Sequence, residues 1–297
     1  MEQEYKNGKK NSKISCVLPT IRPESYKRFL KAWGELFKKH NVELVVVLDG
    51  KNPTVNGKSL KEVMGKYSDS MSNFNGGIRN LGFAYVAKYL PNVEYILTVD
   101  DDVVPLGDTI QDHLDILNKR VPISWISTAS EYMRGFPYLV RNEAEVVVSH
   151  GVWEGVADWD APTQLVLGNR PVEFYKGVVP KGAYFPMCSM NLAFKRKALP
   201  FIYHFPAAPE MQIGRTDDIY AGVITKRELD KKGWAAVTGF ARVVHQRESN
   251  VYKNLQKEAL EIELMETFWQ GDESHPYFDK WRKMYKSWLN FLKQCQI

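Results

Sequence analysis

The stretch Tyr95-Ile96-Leu97-Thr98-Val99-Asp100-Asp101-Asp102-Val103-Val104-Pro105 constrains this chain more than any other. Its first half is an apolar, β-branched run that reads as a buried strand. Three adjacent carboxylates follow. Side by side at a strand end they repel one another, and each loses hydration on burial, so cations or strong donors must sit opposite. Hard oxygen ligands of this kind suit Mg2+ or Mn2+, ions that usually arrive with substrate phosphates. In open α/β sheets, ligands bind beyond the carboxyl ends of the strands. Two readings follow: a metal–diphosphate site at the strand tip, or a solvated acidic loop capping a helix that starts near Leu106.

The preceding residues alternate strand and helix. Ile14-Ser15-Cys16-Val17-Leu18-Pro19 reads as a short strand that stops at Pro19, and the loop after it carries one cation, Arg22. Residues 24–40 place Tyr26, Phe29, Leu30, Trp33, Leu36 and Phe37 at a helical period. Leu44-Val45-Val46-Val47-Leu48 is a second buried strand closed by Asp49-Gly50. This βαβ unit implies a right-handed crossover and a parallel pair. Asp49 either holds a ribose or base or serves the turn before Gly50. Residues 59–67 suggest a short helix. The turn Asn73-Phe74-Asn75-Gly76-Gly77 runs into a helix over 78–89, where backbone amides and Arg79 can meet a diphosphate. A tight turn without a ligand explains the same glycines.

Beyond residue 105 the pattern changes. Ile123-Ser124-Trp125-Ile126-Ser127 reads as a strand. Residues 131–141 set Arg134 and Arg141 in an apolar-aromatic stretch, where arginine stacks or pairs with an anion, or lies on the surface beside a turn. Residues 145–149 form another strand, followed by His150-Gly151-Val152-Trp153. Asp158 and Asp160 lie in an acidic turn that can contact sugar hydroxyls or act only in the turn. Residues 182–194 read as extended. Asp217 and Asp218 precede a helix over 219–231, with Asp217 as its N-cap and Asp218 favoured by the helix dipole; the functional alternative sets a carboxylate at a reaction centre. A last strand over 237–244 ends in His245, a candidate metal ligand. From Asn250 onward the chain reads as helical, with Trp269, Trp281 and Trp288 packing it back.

With 297 residues, 44% hydrophobic and 25% charged, the chain suits one large α/β domain. Its net charge of +5 owes something to Lys6, Lys9, Lys10 and Lys13, and does not argue for nucleic acid. No apolar run is long enough to span a membrane and no signal peptide is evident. Three widely spaced cysteines, Cys16, Cys188 and Cys295, give no disulfide framework or metal spacing. A cytoplasmic protein is expected.

The Asp-x-Asp at a strand end, the distal carboxylate pair and the late histidine together resemble a GT-A nucleotide-sugar enzyme. Longer segments are more particular: Val99-Asp100-Asp101-Asp102, Met133-Arg134-Gly135-Phe136-Pro137, Leu139-Val140-Arg141, Ser149-His150-Gly151-Val152-Trp153, Asp158-Trp159-Asp160-Ala161-Pro162 and Gly214-Arg215-Thr216-Asp217-Asp218. In this order, over roughly residues 70–270, they resemble the reversibly glycosylated polypeptides, the UDP-arabinopyranose mutases. Leu48-Asp49 departs from the family's usual Lys-Asp, and Phe136 replaces a tyrosine.

The resemblance implies an α/β, GT-A-like fold with a mixed, mainly parallel sheet and a helical C-terminal extension. It divides the chain into a loose tail (1–12), a catalytic domain (13–249) and an extension packed on that domain (250–297). It implies interconversion of UDP-arabinopyranose and UDP-arabinofuranose, Mn2+ or Mg2+ dependence, and reversible self-glycosylation on an arginine, here Arg134, with Arg141 also needed. The expected catalytic set is Arg134, Arg141, Asp217 and Asp218. Asp49, Arg79, Asp100, Asp101, Asp158 and Asp160 are expected to bind the UDP-sugar, and Asp100, Asp102 and His245 the metal. A true glycosyltransferase with a separate acceptor and a non-catalytic scaffold subunit remain alternatives, and a homo-oligomer is left open.

Overall fold

A computed structural model describes residues 12–72, 74–126, 132–155, 158–168, 170, 172–246 and 250–297. The tail 1–11, Asn73 of the glycine-rich turn, Ser127 of the expected strand and Glu131 lie outside the described residues. The strands are β1 (Ile14–Thr20), β2 (Val42–Leu48), β3 (Thr54–Val55), β4 (Lys58–Ser59), β5 (Tyr95–Val99), β6 (Val103–Pro105), β7 (Arg120–Val121), β8 (Ala144–Gly155), β9 (Gly177–Val178), β10 (Asn191–Lys195) and β11 (Ala235–His245). The α-helices are α1 (Pro23–Lys39), α2 (Leu60–Met64), α3 (Arg79–Tyr89), α4 (Thr109–Leu117), α5 (Ala161–Leu167), α6 (Asp217–Lys232), α7 (Val251–Glu258), α8 (Ile262–Trp269) and α9 (Pro276–Gln294).

The strands form one mixed sheet in the order β4-β3-β2-β1-β5-β10-β8-β11-β6. The N-terminal group β2-β1-β5 is parallel, and so is the long β8–β11 ladder. β10 inserts antiparallel between β5 and β8, and the short edge strands are antiparallel. This is the expected GT-A-like α/β architecture. Consequently the C-terminal ends of β1, β2 and β5, at Thr20, Leu48 and Val99, open onto one edge. That edge is where ligands of such sheets bind.

Helices cover both faces. On α1, Phe29, Trp33 and Phe37 recur every four residues and stack at centroid distances of 5.6 and 5.8 Å, covering one face of the sheet. α3 packs closely on the other face because Gly82 lacks a side chain: a Cβ there would lie 2.3 Å from Val17 Cγ1. The C-terminal helices share this second core, with Phe268, Phe278 and Trp288 buried beside Val17, Val45 and Phe83. Phe205 stacks on Trp281 at 4.6 Å and meets Tyr220, Tyr277 and Phe278.

Several boundaries differ from expectation. Ser12 is buried and donates to Ile14 O at 2.7 Å, so packing begins there. No strand forms over 123–126, where the chain makes a bend and the Ile123 carbonyl instead takes the Lys181 amide. β8 continues through His150 to Gly155, since Gly151 lets Asn191 and the Ala241 carbonyl approach. The extended segment 182–194 contributes a strand only from Asn191. The helix after the acidic triplet starts at Thr109 and is capped by Asp108, whose carboxylate accepts from Gln111 N, so the triplet is not its cap. Trp269 is 58% exposed, edge-on to Tyr184, because its neighbour Phe268 takes the core position and stacks on Phe278.

Phe205 joins the sheet core to the C-terminal helices. Phe205→Ala is expected to lower the unfolding free energy by about 3–5 kcal/mol, the range for deleting a buried aromatic ring. Urea unfolding measures it; a loss under about 1 kcal/mol would show that the two cores are not coupled there.

Candidate functional site

After Val99 the chain leaves β5 through Asp100–Asp102 and re-enters the sheet as β6. The three carboxylates go three ways. Asp101 points inward and is buried, accepting Thr20 Oγ1 at 2.6 Å and the Arg22 guanidinium. That hydrogen bond pushes the Arg22 pKa up and fixes the loop after β1. Asp101 is therefore a structural anchor in this geometry, not an open ligand. Asp100 pairs with Arg79. Asp102 receives a long contact from Arg22 at 3.4 Å on Oδ2, while its Oδ1 is buried without a hydrogen bond.

The β6–β11 ladder places His245 opposite Val103 and thus beside Asp102. The Gln246 amide donates to the Asp102 carbonyl at 3.1 Å, and His245 Nε2 lies 3.9 Å from Asp102 Oδ1. Antiparallel pairing across about 140 residues makes this closeness of two residues expected to share one metal. Among the described residues no three His, Cys, Asp or Glu side chains form a ready-made metal cluster. Asp102 and His245 come together, whereas Asp100 is already taken by Arg79.

Arg79, the first residue of α3, is 7% exposed. Burial pulls its pKa down, and Asp218, Asp217, Cys188 and Asp102 oppose that pull. It stays charged, since its ordinary pKa is far above neutrality. Its Nε is buried with no partner. The site therefore holds both a buried acceptor and a buried donor that lack mates, at Asp102 and Arg79.

On the far side stands the pair Asp217 and Asp218. Asp217 is not the N-cap: Thr216 holds that place, and Asp217 is the first residue of α6. Its Oδ2 accepts the Gly76 amide at 3.1 Å. A Cβ on Gly76 would sit 3.2 Å from that oxygen, 3.7 Å from Asp218 Cβ and 3.8 Å from His204 Cδ2. A side chain there would crowd the Asp217 carboxylate. Burial, then the neighbouring Asp218, raises the Asp217 pKa well above the carboxylate range. Asp218 is raised by burial and by Asp158, against Arg79 and Arg215. Such a pair holds a proton that separate carboxylates would release. His204 is buried, its Nδ1 unpartnered, and burial with Arg79 nearby pushes its pKa down to about 3.

Other expected residues lie elsewhere or have local duties. Asp49 takes the Gly50 amide at 2.7 Å and the Phe74 amide at 2.9 and 3.0 Å. It thereby holds the exposed Phe74 at φ 60°, a strained backbone for a bulky residue. Asp158 is exposed but close enough to act on Asp218. Asp160 is the N-cap of α5, both oxygens engaged by Thr163 N at 2.9 Å and Oγ1 at 2.8 Å; turn chemistry won at this position. Arg141 stacks between Tyr138 and Tyr132, 3.9 and 4.5 Å from their centroids, and donates to Phe136 O at 3.2 Å. Arg134 is exposed at a turn and, among the described residues, makes no hydrogen bond or ion pair with the acidic centre. Arg22 and His204 also belong to the site, and neither carries a local signal in the sequence; the Gly76 turn and the segment around Arg215 did, though not their contacts with Asp217 and Asp218.

The family model for reversibly glycosylated polypeptides matches residues 9–285. The chain belongs to the reversibly glycosylated polypeptides. Similar members of the family include UDP-arabinopyranose mutase 3 of Arabidopsis thaliana, 32% identical over 89% of this chain and 77% of its own. A probable UDP-arabinopyranose mutase 1 of Pisum sativum is 31% identical over the same shares. Among solved structures, glucosyl-3-phosphoglycerate synthase from Mycobacterium tuberculosis, in complex with Mn2+, UDP-glucose and phosphoglyceric acid, is 13% identical. It has a TM-score of 0.47, covering 84% of this chain and 77% of that one. No helix of this reversibly glycosylated polypeptide, among the described residues, is long and apolar enough to cross a membrane.

A buried acid with a raised pKa costs stability as it ionises. Asp217 contributes most below the ordinary carboxylate pKa, and that contribution is lost as pH rises through its own, higher value. Asp217→Asn keeps an acceptor for Gly76 without the charge. Its melting temperature should match wild type in acid and exceed it increasingly as pH rises toward neutrality. A pH-independent or reversed difference in thermal denaturation would show that Asp217 is ionised at little cost.

Proposed function

We propose that this chain is an isomerase of the UDP-arabinopyranose mutase type, interconverting UDP-arabinopyranose and UDP-arabinofuranose. Family membership and relatives at 32% identity support the reaction class. The observation that carries the reading is the pair of unmatched buried atoms, Asp102 Oδ1 and Arg79 Nε. An acceptor that seeks a cation and a donor that seeks an anion suit a divalent ion with a diphosphate. Asp102 and His245 would be the protein ligands of Mn2+ or Mg2+. Bound there, the ion would neutralise charge on the departing diphosphate.

The chain's own residues divide the remaining work. Arg79 stabilises the diphosphate while Asp100 holds its guanidinium. Asp49 and Phe74 shape the nucleotide end. Asp217 and Asp218 share a proton suited to exchange between sugar hydroxyls as one ring closes and another opens. Asp158, whose charge acts on Asp218, is the proposed grip on a sugar hydroxyl. UDP kept in place by Arg79 re-attacks C1, which makes the reaction a rearrangement and not a transfer. Arg134, exposed and without an ion-pair partner among the described residues, is the proposed site of reversible self-glycosylation, with Arg141 bracing its loop through Tyr132 and Tyr138. The three cysteines are free, which supports a reducing, cytoplasmic setting.

Chromatography of UDP-arabinopyranose incubated with the protein and Mn2+ should reveal UDP-arabinofuranose. Arg134→Ala should abolish the product and the sugar adduct in intact mass. Free UDP alone, or no turnover, would remove the mutase reading. Calorimetric titration of Mn2+ in the presence of UDP should show affinity lowered at least about tenfold in Asp102→Asn; equal affinity would take Asp102 out of the ion's coordination.

A further inference from the structure

The proton-holding pair is built by residues from the far end of the chain. The turn between α7 and α8 carries two buried acids, Glu258 and Glu261, the latter 1% exposed. A buried carboxylate is costly unless its oxygens are fully engaged. Those of Glu261 are. Oε1 accepts the backbone amides of Gly214 at 3.1 Å and Arg215 at 2.8 Å. Oε2 accepts the Thr216 amide at 3.1 Å and the Thr216 hydroxyl. One side chain thus wraps three consecutive amides immediately before Asp217.

This wrapping explains an oddity of α6. Thr216 sits at its N-cap but makes no side-chain cap hydrogen bond to the helix. Its hydroxyl is committed to Glu261 instead. The direction in which the chain enters α6 is therefore set from outside, by α7–α8. That direction decides where the first two side chains, Asp217 and Asp218, point. Glu258 completes the grip: its Oε1 accepts Arg215 Nε at 3.2 Å, and its Oε2 the Ala161 amide at 2.6 Å, at the start of α5. Arg215, so held, faces Asp218.

We propose that Glu261 is a positioning residue for the Asp217–Asp218 pair, through which the C-terminal helices complete the reaction site. The inference rests on the proton-exchange role given to that pair. Glu261 acts on it in two ways, by geometry and by charge. Asp217 faces Asp218 on its own helix, Glu261 from the α7–α8 turn, Arg79 from α3, Tyr277 from α9 and the Gly76 amide. After burial and Asp218, the charge of Glu261 is a further push toward the protonated form.

Glu261→Gln keeps the size of the side chain and removes the charge. Its amide can accept from Gly214 and Arg215 or from Thr216, but not from both. Glu261→Asp keeps the charge with a shorter reach. Carboxyl 13C NMR of the full-length, aspartate-labelled chain follows Asp217, its resonance assigned by its loss in Asp217→Asn. In Glu261→Gln the Asp217 midpoint should fall by about one pH unit, while Glu261→Asp stays closer to wild type. With UDP-arabinopyranose, kcat of Glu261→Gln should drop at least about tenfold with KM nearly unchanged, and its pH profile should move with the NMR midpoint. An unmoved midpoint, or a moved midpoint with unchanged kcat, would overturn the proposal. If Glu261→Gln does not fold, Glu261→Asp alone decides: full kcat despite the shortened reach overturns positioning, and a reduced kcat with the wild-type midpoint supports it. A wild-type chain that turns over no UDP-arabinopyranose removes the mutase reading, and the NMR midpoint still decides whether Glu261 governs the pair.

Discussion

A guanidinium buried in a protein must be surrounded by negative charge, and around Arg79 that requirement ties together distant parts of the sequence. Asp100 at the tip of β5 meets it from one side, and the α6 pair Asp217 and Asp218 acts on it from the other. Removing one member of such a buried arrangement typically costs about 3–5 kcal/mol, because the remaining charges lose their match. The β-sheet supplies rigidity, but the position of the acids follows from this cation. A second arginine, Arg22, itself exposed, matches the buried Asp101 and fixes the loop after β1. Two arginines thus accommodate an acidic triplet that the strand alone would not tolerate.

The parts of this arrangement differ in how readable they were. β1, α1, β2, α3 and β5 followed from apolar period and from Gly and Asp at their ends, since each signal is local. The acidic triplet was legible as a site, but not the separate fates of its members: Asp101 turned inward, Asp100 onto Arg79, Asp102 toward His245. Those fates depend on β6 pairing with β11, a contact between residues about 140 apart. The same reason hid the contact of Gly76 with Asp217, and Glu261, whose partners are mostly backbone amides that every residue possesses. Asp160 shows the opposite limit. Its turn chemistry was visible, and it is what the local hydrogen bonds to Thr163 display.

The two ends of the site have contrasting electrostatics. At Asp102 and Arg79, single atoms lack partners, so the surroundings favour an incoming charged group. At Asp217 and Asp218, burial and neighbouring carboxylates favour a proton instead. One region is prepared to receive ions, the other to withhold hydrogen from water. The rearrangement proposed above, which would release a diphosphate briefly and recapture it while hydroxyls exchange, calls for both conditions side by side.

The grip of Glu258 and Glu261 on the starts of α5 and α6 also bears on how the protein is made. Synthesis proceeds from the N-terminus, and domains form as their sequence becomes available. The sheet can begin to assemble once β11 has emerged. The acids of α6, however, acquire their final direction only when the α7–α8 turn has cleared the ribosome and docked. A nascent chain stalled before that turn would own Asp217 and Asp218 and still lack the grip that aims them.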